Sequence, residues 1–241
     1  MSPQTTERPF INLHTRKRYH SSPEDNFVVW SDSDITIDER LQRSGHPPMT
    51  LWFTGLSGAG KSTLARQVEK RLFGRHYLVA ILDGDNLRHG LCKDLGFEAN
   101  HRSENIRRCA EVAKLLNDAG FLVICAFISP KITDRETARN IIGKNRFHEI
   151  FIDSPLSVCE RRDPKGMYRL ARAGKINNLT GVTAPYEVPQ NPDLCITTND
   201  QSLQKCTDQL VSYVSWQIRV MNSASNSRSK RETIERNNFI I

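Results

Sequence analysis

The sequence predicts an α/β fold, a three-layer sandwich in which a five-stranded, mostly parallel sheet carries helices on both faces. Three observations lead there. From Met49 onward, short apolar runs alternate with segments of helical period. The apolar runs are nearly continuous, as strands covered on both faces require. A glycine-rich stretch joins the first run to the first helix of this series.

Taken in chain order, TLWFTG (50–55) is the first strand, and residues 62–73 form a helix with Leu64, Ala65, Val68 and Leu72 on one face. YLVAILDGD (77–85) is the second strand. Residues 103–118 form a long helix, with Ile106, Cys109, Ala110, Ala113 and Leu116 sharing a face and Gly120 ending it. FLVICAFIS (121–129), a helix over 131–143, FHEIFID (147–153), DLCITTN (193–199) and a closing helix over 201–220 complete the pattern. The stretch 160–192 is rich in Arg, Lys, Gly and Pro, the character of a mobile lid.

Outside the core, residues 1–26 are polar and aperiodic and predict a disordered or extended arm. Residues 27–45 predict a short strand or loop, then a capped helix stopped by Gly45. The domain is expected over 27–221, with 222–241 a basic, disordered tail.

The chain of 241 residues suits one domain plus tails. No apolar run approaches the roughly 20 residues that span a bilayer, and no export signal opens the sequence. A cytoplasmic protein without a membrane partner is expected. Six cysteines, none in a Cys-x-x-Cys pair, are expected to be reduced and buried. The net charge of +7 suits an anionic partner. Basic residues do not alternate with aromatics as a single-strand platform requires, so a polyphosphate is expected rather than nucleic acid.

The strongest chemical signal is Gly55-Leu56-Ser57-Gly58-Ala59-Gly60-Lys61-Ser62, followed by Thr63. It matches G-x-x-x-x-G-K-[ST] between a strand and a helix. Glycines let successive N–H groups turn inward on phosphate oxygens, and the helix N-terminus adds partial positive charge. Lys61 then reaches the β- and γ-phosphates of ATP, and Ser62 ligates Mg²⁺. A plain Gly-rich turn is the competing reading, and the correct flanks argue against it.

Asp83 and Asp85 end the second strand beside this loop, where open α/β sheets bind ligands. Either can hold the Mg²⁺ water shell, and one can take a proton from an attacking hydroxyl. An N-cap and turn at Asp83-Gly84 explains the pair as well. Arg102 and Asn105, three apart, share a face at the start of the long helix, and an arginine suits a two-pronged grip on phosphate or sulfate. Ser129 falls at the ligand edge of the third strand.

GLSGAGKST, LDGDNLR, DLGF, HRSENIRR, AFISP, RDPKGMYRLARAGKI and APYEVPQNPDL, in this order, resemble adenylylsulfate kinases over about residues 27–217. The resemblance implies a P-loop NTPase fold of the nucleoside-monophosphate-kinase-like type. It implies transfer of the ATP γ-phosphate to the 3′-hydroxyl of adenosine 5′-phosphosulfate, with Mg²⁺, in sulfate assimilation. Carried over by position, Arg88, Arg102 and Asn105 grip the phosphosulfate, with Asp83 also at the acceptor. Phe97 stacks on the acceptor adenine beside Ile128. Asp85 activates the hydroxyl, directly or through Mg²⁺. Lys165, Arg169 and Arg172 belong to the lid, Arg172 on the ATP side. Ser129 stands where the family records a phosphoserine intermediate. The resemblance also implies a homodimer. One departure stands out: Asn177-Asn178-Leu179-Thr180-Gly181 carries Leu179 where an aromatic residue would complete the adenine sandwich. Leu179 is expected opposite Phe97; the competing readings are that it faces the core or that Tyr186 takes over the stacking. The rivals are a P-loop kinase acting on another hydroxyl and a nucleotide-sensing module that has lost turnover, and intact Lys61, Ser62, Asp83 and Asp85 argue against the second.

Overall fold

The computed structural model describes residue 31 and residues 33–238, with side chains as far as residue 223. The arm over 1–26 and the start of the expected 27–45 segment lie outside the described residues. The chain divides into Met1–Asp34 and Ile35–Ile241, and every element below belongs to the second unit.

Five strands, β1 (Met49–Thr54), β2 (Val79–Asp83), β3 (Leu122–Ala126), β4 (Phe147–Asp153) and β5 (Leu194–Thr197), form one sheet in the order β2-β3-β1-β4-β5. Every pairing is parallel, with Leu51 opposite Ile124 of β3 and Phe53 opposite Ile150 of β4. β1 thus lies between strands reached by crossovers in opposite directions, and its C-terminal end is the sheet's switch point for ligands.

Alternate residues of β1 feed two cores. Met49, Leu51 and Phe53 face Leu64, Val68 and Leu72 of α2 (Lys61–Phe73) and Leu210 and Val214 of α8 (Leu203–Asn238). Trp52 faces Cys109 and Ala113 of α4 (Ala99–Asp118) and Ala138 and Ile142 of α5 (Ile132–Ile142). All six β1 side chains are buried, which is why the run reads as continuously apolar.

The capped helix before the core is α1 (Ile37–Ser44). Thr36 and Glu39 form a reciprocal capping box, and Gly45 closes the helix at φ 72°. Three short helices were not expected: α3 (Gly84–Arg88), α6 (Leu156–Arg162) and α7 (Met167–Arg172). α4 begins at Ala99, four residues ahead of the expected 103. α8 continues to Asn238, past the expected end at 220 and through most of the stretch expected as a disordered tail. No glycine or proline follows residue 201, so nothing in the chain chemistry stops the helix there.

The six cysteines are unpaired, and five are buried. The exception is Cys195, exposed on the edge strand β5. Among the described residues no helix is long and apolar enough to cross a membrane.

Candidate active site

A cleft of about 1010 Å³ opens along the C-terminal edge of the sheet. The P-loop lines one end, and Arg88, Phe97, Arg102 and Asn105 line the other.

At the P-loop end Gly55 and Gly58 are required by space as well as by φ. Gly55 has φ 152°, and a Cβ there would stand 2.5 Å from the Ile152 carbonyl oxygen. Gly58 has φ 75°, and its Cβ would meet the Cys159 carbonyl oxygen at 3.0 Å. The loop is therefore pressed against β4 and α6 at two points, which fixes its curl. Lys61 lies over this curl, its Nζ donating to the carbonyls of Gly55 (2.8 Å) and Leu56 (2.7 Å). Burial pulls its pKa down to about 8.

Ser62 donates its hydroxyl to Asp83 Oδ2 at 2.6 Å, while Asp83 Oδ1 accepts from the Asp85 amide at 3.0 Å. Asp83 thus caps α3, as the N-cap reading expects, and also faces the P-loop through Ser62. Asp85 is ion-paired with Lys165, and both are largely exposed in the cleft. The hydroxyl of Ser62 and these carboxylates are hard oxygen donors. Among the described residues no group of three or more His, Cys, Asp or Glu side chains is placed to hold a metal ion. A donor set this sparse fits Mg²⁺, which keeps several waters and shares its shell with substrate phosphates.

The opposite end is built from long side chains. Arg88 donates to the carbonyls of Leu95 and Gly96, each at 3.0 Å, and its guanidinium lies 4.4 Å from the centre of the Phe97 ring. Phe97 is 60% exposed. Arg102 donates through Nε to the Phe97 carbonyl (2.7 Å), through Nη1 to Thr180 Oγ1 (2.7 Å), and through Nη2 to the Asn178 carbonyl. Asn105, only 6% exposed, holds a buried Nδ2 without a hydrogen-bond partner beside the cleft. A buried donor left unmet is costly, and a ligand at this end of the cleft would satisfy it.

Ile128 and Ser129 form the facing wall. Ser129 is 2% exposed, takes φ 38°, and accepts the Trp52 indole N–H at 3.2 Å. Among the described residues no imidazole or carboxylate bonds to its hydroxyl.

Three expected residues fall elsewhere. Arg172 lies outside the cleft, paired with Glu160 at 2.5 Å, because α7 turns this side chain back onto α6; Arg169 lies outside it too. Leu179 is 6% exposed and packs in the core beside Leu56 and Leu156, so it does not face Phe97. On either side of it, the Asn178 carbonyl and the Thr180 hydroxyl accept from Arg102. Tyr186 does not replace it, since its ring stacks on Phe151 and its hydroxyl meets Thr54 Oγ1 at 2.9 Å. Instead, Arg88 is the group over Phe97.

Sequence reasoning missed Arg162, which donates to the carbonyls of Gly58 (3.3 Å) and Thr198 (2.5 Å) at the P-loop end. Gln201 lines the same end, with a buried Oε1 lacking a partner. The basic run before Asp163 was the available signal for Arg162; nothing in the sequence distinguished Gln201.

A phosphate cradle that faces a basic, aromatic pocket across the switch point of a parallel sheet belongs to the P-loop kinases. Within that class the comparisons single out one family. The adenylylsulphate kinase family model matches residues 47–197, and the chain belongs to that family. It is 51% identical over 189 residues to an adenylyl-sulfate kinase of Shewanella amazonensis, covering 78% of this chain and 96% of the relative. A relative of the same name from Clostridium acetobutylicum is 50% identical over 187 residues, covering 78% of this chain and 93% of the relative. Among solved structures, the Mycobacterium tuberculosis APS kinase CysC in complex with AMPPNP and APS matches with a TM-score of 0.68 and 46% identity. That match covers 70% of this chain and 99% of the other. A gluconokinase from Sinorhizobium meliloti, 13% identical with a TM-score of 0.50 over 75% of this chain and 98% of its own, shares the fold alone.

Proposed function

We propose that this chain transfers the γ-phosphate of ATP to the 3′-hydroxyl of adenosine 5′-phosphosulfate, giving ADP and 3′-phosphoadenosine 5′-phosphosulfate. The observation that carries this is the joining, in one cleft, of a complete P-loop with the Arg88–Phe97–Arg102–Asn105 pocket. The relatives named adenylyl-sulfate kinase support the same reading, as does the neighbour solved with AMPPNP and APS.

In this reading the backbone amides of Leu56 to Thr63 cradle the triphosphate. Lys61 swings from its own loop carbonyls onto the β- and γ-phosphates. Arg162 and Gln201 flank the ATP nucleoside. Ser62 and Asp85 would hold Mg²⁺, with Asp83 orienting Ser62, and the ion neutralises charge on the bridging phosphates when bound. Across the cleft, Arg88, Arg102 and the unmet Asn105 amide take the phosphosulfate, while Phe97 and Ile128 enclose the adenine. The acceptor's 3′-oxygen then forms a bond to the γ-phosphorus as its bond to the β,γ-bridging oxygen breaks. The hydroxyl proton passes to Asp85, freed from Lys165 as that lysine turns to the phosphates. Transfer is direct, because Ser129 is buried, tied to Trp52 and without a base.

A homodimer in the cytoplasm completes the proposal; a solution mass of twice 27.5 kDa tests the assembly. The activity is tested by ADP release from ATP and Mg²⁺ with adenosine 5′-phosphosulfate, adenosine 5′-phosphate, gluconate or a polynucleotide end as acceptor. Release with the phosphosulfate alone is expected; release with another acceptor instead overturns the assignment.

A further inference from the structure

The roles above leave out the most completely buried cation beside the acceptor wall. Arg135 of α5 has a side chain only 3% exposed, and each arm of its guanidinium is engaged. Nε donates to Glu149 Oε1 on β4 at 2.6 Å, Nη1 to the Ser129 carbonyl at 2.8 Å, and Nη2 to the Glu187 carbonyl at 2.9 Å.

The two carbonyls belong to different loops. One is the turn after β3, which carries Ile128 and Ser129 into the cleft. The other is the segment after α7, whose Asn178 carbonyl and Thr180 hydroxyl hold Arg102. The same loops are laced together around the guanidinium. The Glu187 amide donates to the Pro130 carbonyl (2.8 Å), and the Ile132 amide donates to Glu187 Oε2 (2.7 Å). Thr54 donates to the Ile128 carbonyl at 2.8 Å.

Ser129 sits at φ 38°, a region that a residue with a Cβ occupies only when its surroundings impose it. A buried ion pair is weak evidence for stability as such. A planar fork that spans three acceptors in fixed directions is instead a spacer, and lysine cannot reproduce it.

We propose that Arg135 is a positioning residue for the acceptor. By gripping the Ser129 and Glu187 carbonyls from the Glu149 anchor, it sets the distance between the Ile128–Ser129 wall and the segment that aims Arg102. This rests on the function proposed above. Arg135 itself bonds to no P-loop residue, and the P-loop meets this wall only through the Gly55 amide on the Ile128 carbonyl at 3.4 Å, so KM for ATP should move far less than KM for the phosphosulfate when the fork is lost.

The test is steady-state kinetics on the full chain, comparing wild type, Arg135→Lys, and the double variant Arg135→Gln with Glu149→Gln, which removes both charges together. KM for adenosine 5′-phosphosulfate should rise about tenfold in the double variant and by a smaller factor in the lysine variant, with KM for ATP within about twofold of wild type. If the double variant does not fold, the lysine variant decides alone, since it keeps the charge opposite Glu149. Unchanged constants in a folded variant overturn the inference, as does an equal rise for both substrates. A wild-type protein inactive on the phosphosulfate overturns the proposed function instead.

Discussion

The two ends of the cleft prepare for anions with different material. At the P-loop end the binding groups are backbone amides, held by a loop pressed against Ile152 and Cys159 and carried on the first turn of α2. At the other end they are the long side chains of Arg88 and Arg102, steered by carbonyls of neighbouring loops. Backbone cradles are rigid and indifferent to what lies beyond the phosphates. Side-chain pockets are adjustable and carry the choice of acceptor. Substitutions at the two ends should therefore separate cleanly in kinetics.

The largest effect is expected from Lys61→Ala, which removes the cation over the β- and γ-phosphates. kcat should fall on the order of 10³-fold or more, the scale of losing a pre-placed electrostatic partner. Circular dichroism should show the fold retained, because the lysine's present partners are carbonyls of its own loop. Wild-type turnover in this variant would break the contrast at its rigid end.

Arg102→Ala should raise KM for adenosine 5′-phosphosulfate by roughly ten- to a hundredfold, given charge-assisted bonds of about 1.5–3 kcal/mol. KM for ATP should barely move. An equal rise for both would mean that the two ends are not independent.

A pH profile sharpens the rigid end. Burial lowers the pKa of Lys61 to about 8, so the free enzyme loses this cation as pH rises through that value. kcat/KM for ATP reports the free enzyme. It should be level below about pH 8 and fall about tenfold per unit above it. A profile level to pH 10 would show that the loop holds the lysine charged despite its burial.

The smallest effect is expected from Ser129→Ala. The hydroxyl touches Trp52 and has no base, so the variant should keep activity within about tenfold of wild type. Label from ATP that accumulates on Ser129 and then chases into product would contradict direct transfer.

The same contrast explains what was legible in the sequence. Gly55 to Ser62 are consecutive, so their chemistry and their strand–helix context appear together in one short stretch. The central strands β1 and β3 were equally plain, because both of their faces are buried and their apolar runs are nearly continuous. The arginine end is assembled across the chain: Arg102 meets Thr180, 78 residues away, and no spacing rule reports such a meeting. There the family motifs indicated the residues, and the structure corrected the details. Leu179 is buried in the core, a placement set by tertiary packing rather than by local pattern. Arg172 had the right charge but was claimed by Glu160. Arg135 stood unremarked within an expected helix, since only the packed structure shows one guanidinium reaching two loops.

The central claim is that the cleft holds ATP at one end and a nucleotide phosphosulfate at the other, with the acceptor's 3′-oxygen between them. The most direct measurement is to incubate the protein with ATP, Mg²⁺ and adenosine 5′-phosphosulfate and locate the transferred phosphate by phosphorus NMR and mass spectrometry. One ADP for each acceptor consumed, with the new phosphate on the 3′-oxygen and the phosphosulfate intact, is the predicted result. ADP formed without phosphorylation of the acceptor, or phosphate placed on any other oxygen, would contradict it.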